Sequence, residues 1–431
     1  MNISLVEYGT YEIWPSSSTS ELENNSNIWK EKLGLKQEPF HLVIRNNQVN
    51  VRAIGITGFV NVNGIDIEIK PKFLASTSSD KWRKLLWNIL LFVENSSNSI
   101  FGEHSVQESE DNSHFLDLLG WVFLNSIQAT SLEGFPRGYV EQRDFCTELR
   151  GRIDYSKIVT VLQNPFVFPC IYDEYSEDII VNRLLKWAGT FLSTQVKSTH
   201  LSNMILYNIQ HIQADGSQPP SVVEAEHIVL PAQYHYAEPA LKIAKMLLRN
   251  KSLHYEQGAF SSSGFLWKSH DVYENFIHNI LIMTMSFFGN RMILHREAIT
   301  NVALPFIYTS QGINEYPDFK IKEGNSSIFI LDAKYKMNNL RRELVYGLSN
   351  TEDINQIIVA CKIEKCLHGI LIYPSENGRD THHQTWKIND DGFPKYVSNL
   401  YLNLEVMAEL GGPQSLSKQM FEQLEIIHSY I

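Results

Sequence analysis

Two aspartates and a lysine in the last third of the chain have the types and spacing of a hydrolytic metal site. Asp318 and Asp332 fall in the stretch from Tyr316 to Lys336, where apolar runs on both sides of a glycine-containing turn predict a β-hairpin. If the hairpin is symmetric about Asn325, the two carboxylates lie opposite one another. Because side chains alternate along a strand, Lys334 then projects from the same side as Asp332.

The hairpin register favours a divalent cation between the two aspartates. It also pairs Phe319 with Leu331 and Lys320 with Ile330. Opposed carboxylates about 5 Å apart repel by about 3 kcal/mol at an effective dielectric of about 20, and a cation removes that cost. Mg²⁺ binds one or two carboxylates, keeps several waters and lowers the pKa of a water that attacks phosphorus, while Lys334 orients that water or balances charge. The alternative is a surface hairpin with a turn aspartate and solvated lysines.

The hairpin motif resembles the core of PD-(D/E)xK nucleases, here as Pro317-Asp318 and Asp332-Ala333-Lys334. The sequence ILDAKYK is closer still to the McrC family, the nuclease subunits of McrBC-type modification-dependent (5-methylcytosine) restriction systems. Two further segments resemble this family, LRGRID at Leu149 to Asp154 and the longer segment from Tyr172 to Lys186. The strand that ends at Pro71-Lys72 resembles it as well.

The resemblance implies a Mg²⁺-dependent DNA endonuclease in which Asp318 and Asp332 bind the metal and Lys334 is the catalytic lysine. It also implies a hetero-oligomeric complex with a AAA+ GTPase subunit of the McrB type, acting on methylated double-stranded DNA. The chain has no G-x-x-x-x-G-K-(S/T) loop, so we expect that subunit to hydrolyse the nucleotide. The rival interpretation is a non-catalytic adaptor that activates the motor and keeps only the nuclease fold, although the intact site residues argue against it.

Glu274 has two interpretations. Nucleases of this type often carry an acid in the helix before the hairpin, and McrC proteins have a similar glutamate there, so the resemblance adds Glu274 to the catalytic residues. Asp271 followed three residues later by Glu274 also has the spacing of a capping box. Gln356 matches the helical glutamine of a Q-x-x-x-Y pattern found in many relatives, although Ala360 replaces the tyrosine.

Arg150 and Arg152 are candidates for contact with a partner. They alternate, so a strand over this segment places both on one face, available to a phosphate, an acidic partner or only water. Farther along, Asp178, Asn182 and Lys186 have helical i, i+4 spacing, which predicts a hydrogen-bonded and ion-paired helix face.

The order of elements predicts an α+β protein in three parts. Residues 1–112 form a β-rich domain, 113–255 a mainly helical region, and 256–431 the domain that contains the hairpin. The resemblance implies that the region 113–255 docks the motor and that 256–431 is a PD-(D/E)xK nuclease domain of the restriction-endonuclease type. In the first part, glycines that include Gly58 mark turns between strands.

Composition indicates a globular protein of a reducing compartment. The chain has 431 residues, 43% of them hydrophobic, which suits two or three domains, and its four cysteines are spaced as free thiols. Neither a signal peptide nor a membrane-spanning run is evident, so we expect a cytoplasmic protein. The net charge of −11 argues against a chain that coats nucleic acid unaided, but allows a nuclease with a local basic channel.

Overall fold

The computed structural model shows a mixed helix and sheet protein, as the α+β prediction requires. The described residues are 2–75, 77, 81–94, 115–159, 164, 166–252, 262–296, 317–335, 351–375, 378–388, 392–409 and 411–430.

Regular elements follow one another along the whole described chain. The strands are β1 (Asn2–Val6), β2 (Glu12–Trp14), β3 (Phe40–Arg45), β4 (Gln48–Ala53), β5 (Ile56–Val62), β6 (Ile65–Lys70), β7 (Gly138–Cys146), β8 (Arg152–Ile153), β9 (Phe168–Ser176), β10 (Ser262–Lys268), β11 (Met292–His295), β12 (Phe319–Glu323), β13 (Ser326–Ala333), β14 (His368–Pro374), β15 (His382–Lys387) and β16 (Tyr396–Leu402). The helices are α1 (Thr19–Lys32), α2 (Lys81–Glu94), α3 (Phe115–Glu133), α4 (Ile180–Gln195), α5 (Thr199–Ile209), α6 (Val222–Glu226), α7 (Glu238–Ser252), α8 (Ser269–Phe288), α9 (Thr351–Glu364) and α10 (Gly412–His428).

The chain forms two compact units. The first joins Met1–Ser105 to Ala259–Ile431, and the second is Val106–Gly258. The division into three parts stays a prediction, but its first and last parts fall in the same compact unit. The physical reason is that β10, which follows the helical region, hydrogen-bonds to β5 near the N-terminus.

The four-stranded sheet of the first unit has the order β1-β6-β5-β10. Gly58 lies inside β5, opposite Leu266 of β10, so the turn expected at this glycine is wrong. Its φ is +129°, and a Cβ at this position would lie 2.1 Å from the carbonyl oxygen of Phe265. Only glycine allows β10 to approach so closely.

A second small sheet of the first unit has the order β2-β4-β3. One of its faces is buried with α1 in an apolar core that includes Trp14, Trp29, Phe40 and Val51. Because side chains alternate along each strand, the residues between these project from the opposite face.

The six-stranded sheet of the first unit has the order β11-β12-β13-β14-β16-β15. Strands β13, β14 and β16 run parallel, and the first two are largely buried, as is typical of parallel strands covered by helices. Helix α9 packs Ile357 and Cys361 against Ile330 of β13 and Leu371 of β14. This part of the first unit therefore runs from the hairpin through helix α9 to strand β14.

The β12–β13 hairpin has the predicted register at the end that carries Asp318 and Asp332. Phe319 lies opposite Leu331, and Lys320 lies opposite Ile330. The symmetry ends at an irregularity after Ile321, which shifts the pairing by one residue before the turn.

The second unit is a group of helices with a three-stranded sheet of order β7-β9-β8. Helix α4 packs against α5 and α7, and it buries Leu184, Leu185 and Trp187. Across the described ranges of both units, no helix is both long and apolar enough to cross a membrane.

Candidate functional site

The hairpin brings the two predicted aspartates together at one end of the parallel strands. Asp332 lies near the end of β13, and Asp318 lies just before β12. The backbone N–H of Ala333 donates a hydrogen bond of 2.7 Å to Oδ2 of Asp318. Asp318 is therefore tied to the residue that follows Asp332, which places the two carboxylates side by side.

Lys334 lies on the same side as the aspartates, as the strand alternation predicts. Its ammonium contacts Oδ2 of Asp332 and donates a hydrogen bond of 2.8 Å to Oε1 of Gln356. The Lys334 side chain is only 13% exposed. Since few waters reach this ammonium, its charge acts strongly on neighbouring groups.

Burial raises the pKa of both carboxyl groups. Desolvation, followed by repulsion from Asp332, raises the pKa of Asp318 to about 7, although the hydrogen bond from Ala333 opposes the rise. Desolvation also raises the pKa of Asp332, against the lowering effect of the Lys334 ammonium. The pair therefore carries less than two negative charges near neutral pH unless a cation is present.

Glu274 lies close enough to act on both aspartates through its charge. Its carboxylate contributes to the raised pKa of Asp318 and of Asp332. The same carboxylate contacts Arg296, and its Oε2 lies 3.7 Å from Nδ1 of His270.

The capping interpretation of Glu274 is wrong. Helix α8 begins at Ser269 with Lys268 as its N-cap, and no side chain caps it. Asp271 therefore lies inside the first turn, where its Oδ1 is 2.9 Å from Nζ of Lys268. The N-cap lies three residues earlier than the sequence predicts, and the N–H of the first helical residue, Ser269, donates to the carbonyl of Gly55 outside the helix.

Asp353 is a site residue that the sequence analysis missed. Its Oδ1 lies 3.8 Å from Nζ of Lys334, and its Oδ2 accepts a hydrogen bond of 3.3 Å from the Tyr373 hydroxyl. Asp353 precedes Gln356 by three residues on α9, so the two side chains share a helix face. That spacing was the available signal, but only the packing of α9 against the sheet brings the face to Lys334.

A buried network lies directly behind Lys334 and was also missed. The hydroxyl of the next residue, Tyr335, donates to Oε2 of Glu7, and the backbone N–H of Lys72 donates to the same oxygen at 3.2 Å. Burial raises the pKa of Glu7. These contacts tie the segment after β1 to the end of β13, so the N-terminal part of the unit helps to fix the backbone that carries Lys334.

The donor set is compatible with Mg²⁺. Two buried, mutually repelling carboxylates are stabilised in their ionised forms by a nearby cation. In the part of the chain that the structure describes, no three His, Cys, Asp or Glu side chains are grouped to hold one metal ion. Mg²⁺ does not require such a group, because it takes one or two carboxylates and completes its shell with water and substrate oxygens.

The raised pKa of Asp318 predicts a pH-dependent stability of the metal-free protein. An unfolded aspartate releases its proton near pH 3.9, whereas folded Asp318 keeps its proton up to about pH 7. Between these values the folded state binds more protons, so stability falls as pH rises. In EDTA, we expect the melting temperature of the wild type to fall by a few degrees between about pH 5 and about pH 8, relative to that of Asp318→Asn.

Asparagine is the matched replacement because its amide oxygen still accepts the hydrogen bond from Ala333 but does not titrate. Thermal melts at each pH give the comparison. A melting-temperature difference between wild type and Asp318→Asn that stays constant over this range contradicts the raised pKa.

Arg150 and Arg152 are exposed residues of the second unit. Arg152 begins β8, where its Nη2 lies 3.2 Å from Oε2 of Glu141. Arg150 lies outside the strand, with Cζ 5.7 Å from the centre of the Tyr172 ring. Gly151 between them has a φ of +60°, so the alternation expected of a strand over both arginines is absent.

Asp178, Asn182 and Lys186, the residues of the predicted helix face, make structural contacts. Their partners are other residues and not one another. Asp178 Oδ1 accepts a hydrogen bond of 2.7 Å from Nε of Arg183. Asn182 and Lys186 donate to backbone carbonyls, Lys186 to that of Ile212 at 3.0 Å. These side chains connect elements of the second unit.

Comparisons with known proteins extend these observations. The family model described as McrBC 5-methylcytosine restriction system component matches residues 51–374. The chain is similar to one chain of the refined half-complex from the tetradecameric assembly of Thermococcus gammatolerans McrB AAA+ hexamers with bound McrC, with a TM-score of 0.66 and 15% identity over 98% of this chain and 100% of that chain. A chain of the McrBC complex of the same organism matches with a TM-score of 0.49 and 15% identity, over 66% of this chain and 88% of that chain. No curated protein matches the chain.

The structural likeness, at 15% identity, shows a shared fold. The family match is the stronger finding, since it covers well over half of the chain. It includes LRGRID, the segment from Tyr172 to Lys186 and the hairpin that carries Asp318 and Asp332. The chain therefore belongs to the family of McrBC 5-methylcytosine restriction system components.

Proposed function

We propose that this chain is the DNA endonuclease subunit of a McrBC-type restriction complex, and that it stimulates a AAA+ GTPase partner. Its substrate is double-stranded DNA that carries a methylated base, and its cofactor is Mg²⁺. The observation that carries the proposal is the convergence of Asp318, Asp332 and Lys334 in one largely buried site. A surface hairpin with solvated charges, the alternative interpretation, does not account for that burial.

Asp318 and Asp332 are the proposed ligands of the metal ion. When bound, Mg²⁺ supplies Lewis-acid polarisation of a phosphoryl oxygen and lowers the pKa of a nearby water. The two aspartates supply the negative charge that selects a divalent cation, and their burial keeps bulk water from screening that charge. The C-terminal PD-(D/E)xK nuclease domain remains part of this proposal.

Lys334 and Glu274 have different proposed roles. The ammonium of Lys334, oriented by its hydrogen bond to Gln356, stabilises the charge that develops on the phosphate as the bond breaks. Glu274 completes the proposed catalytic set as a third carboxylate whose charge reaches both aspartates. Arg296 holds this carboxylate in place, and the His270 ring lies beside it.

The partner proposal rests on the related assembly and on an exposed part of the second unit. The related chain comes from an assembly of McrB AAA+ hexamers with bound McrC. Along the sequence segment from Leu149 to Phe166, which contains both arginines, large apolar side chains are exposed, namely Leu149 at 59%, Tyr155 at 77% and Phe166 at 80%. Grouped exposed apolar residues flanked by arginines are typical of a protein interface. We therefore place contact with the AAA+ partner at this segment.

The test of this function uses the full chain purified with its AAA+ partner. We expect cleavage of a methylated duplex in the presence of GTP and Mg²⁺, and no cleavage with EDTA or with an unmethylated duplex. A complex that hydrolyses GTP normally but cuts no modified duplex contradicts the nuclease function and favours the adaptor.

The docking segment is tested in the same complex by Arg150→Ala combined with Arg152→Ala. We expect the stimulation of GTP turnover to fall about ten-fold, which corresponds to the loss of about 1.4 kcal/mol of interface energy. Arg249→Ala is the matched control, because Arg249 is an arginine of the same unit that pairs with Glu226. Normal stimulation by the double variant contradicts the docking assignment.

A further inference from the structure

One face of the β2-β4-β3 sheet is basic and free of carboxylates. The opposite face is buried in the apolar core, so alternate residues project outward. Arg52 lies directly opposite His41, and Arg45 lies opposite Gln48. The outward residues of the three strands and of the preceding Tyr11 are Tyr11, Ile13, His41, Val43, Arg45, Gln48, Asn50 and Arg52. We call this set the basic face.

The cations of the basic face are gathered around one aromatic ring. Cζ of Arg45 lies 4.5 Å from the centre of the Tyr11 ring, and Cζ of Arg52 lies 4.9 Å from it. The Tyr11 hydroxyl is 2.6 Å from Nδ1 of His41. Two guanidinium groups on the same ring repel one another, and an anion that contacts both relieves the repulsion.

Neither guanidinium has a carboxylate partner among the described residues. Nε of Arg52 is buried and has no hydrogen-bond acceptor in the described structure. Elsewhere in this acidic chain, arginines contact carboxylates, as seen for Arg83, Arg137, Arg143, Arg183, Arg249 and Arg296. The charges of Arg45 and Arg52 are therefore not neutralised by a carboxylate within the described structure, and an external anion would neutralise them.

Contacts within the first unit link the basic face to the candidate active site. The N–H of Tyr8 donates to the carbonyl of Ala53, the residue after Arg52. Nζ of Lys72 lies 4.9 Å from the Tyr8 ring and 4.0 Å from the ring of Tyr335, which directly follows Lys334. These contacts connect the basic face through the interior of the first unit to the backbone that carries Lys334, because Tyr335 is buried.

We propose that the basic face binds the phosphate backbone of the DNA duplex that enters the Asp318–Asp332 site. Arginine, tyrosine, histidine and amide side chains are the usual donors to phosphate oxygens, and the face presents no carboxylate to repel them. The basic face lies in the same compact unit as the proposed phosphodiester-cleaving site, which favours DNA over an acidic protein as the occupant. This inference rests on the proposed nuclease function, which it extends by assigning the surface that holds the substrate.

The test measures binding of a fluorescein-labelled 5-methylcytosine duplex to the full chain by anisotropy, in EDTA, at several salt concentrations. We expect Arg45→Gln with Arg52→Gln to weaken binding at least about ten-fold and to reduce the slope of log affinity against log salt by about 1.8. Lys81→Gln with Lys418→Gln is the matched control, because it removes the same charge from exposed positions elsewhere in the unit. We expect it to change affinity by less than about two-fold.

Arg45→Gln alone guards against misfolding, because Arg45 is exposed, and it should reduce the salt slope by about 0.9. Wild-type affinity and slope in the double variant overturn the proposal. So does a double variant that binds DNA normally but loses stimulation of the AAA+ partner, since the face then docks protein. If the wild type binds through these arginines but never cuts, the nuclease function fails and the binding surface stands.

Discussion

Replacement of Asp332 by alanine should lower Mg²⁺-dependent cleavage by about a thousand-fold without unfolding the chain. The carboxylate is a proposed metal ligand, and loss of about 4 kcal/mol of charge stabilisation in the transition state gives a rate effect of this size. The fold should tolerate the change because burial and nearby carboxylates already raise the pKa of Asp332. The Lys334 ammonium donates a hydrogen bond to Gln356, and we expect the variant to keep this bond.

The measurement is cleavage of a methylated duplex by the complex with its AAA+ partner, with GTP turnover and a thermal melt on the same samples. Asp271→Ala is the matched control, because Asp271 is an exposed acid of α8 that pairs with Lys268. We expect this control to cut normally, and both variants to stimulate GTP turnover. Undiminished nicking by Asp332→Ala would show that the active site does not lie at this hairpin.

Replacement of Lys334 by alanine should lower cleavage by about a hundred-fold to a thousand-fold while metal affinity is retained. Lys334 carries the wrong charge to bind a cation. Its buried ammonium contacts Asp332 and is oriented by its hydrogen bond to Gln356. Loss of one charged donor to a developing anion has an effect of this size. Metal affinity should stay the same or rise, since the variant removes a positive charge beside Asp332.

Calorimetry with Mg²⁺ and single-turnover cleavage separate these two effects. Lys322→Ala is the control within the same hairpin, because Lys322 is a half-exposed lysine on β12. It should cut normally. If Lys334→Ala loses metal binding together with cleavage, the lysine supports the structure of the site and is not a catalytic group.

The sequence by itself determined the local part of this site. Apolar and β-branched runs around a turn predicted a hairpin, and symmetry about Asn325 gave the pairing of Phe319 with Leu331. Strand alternation then placed Lys334 on the side of Asp332. These relations depend on neighbours within about twenty residues, which is why spacing alone fixes them. The motif segments also indicated the family, which the family match shows.

Only the tertiary structure decided which distant groups surround the hairpin. Asp353 and Gln356 reach Lys334 because α9 packs on the parallel strands, and Glu7 reaches Tyr335 from the other end of the chain. Burial of Asp318 raises its pKa to about 7, an effect that depends on the surrounding atoms. Likewise, the basic face exists because β2, β3 and β4 pair in a register that collects His41 and both arginines. Such contacts join residues that are far apart in sequence. They form only when the core packs, so the local spacing of residues does not predict them.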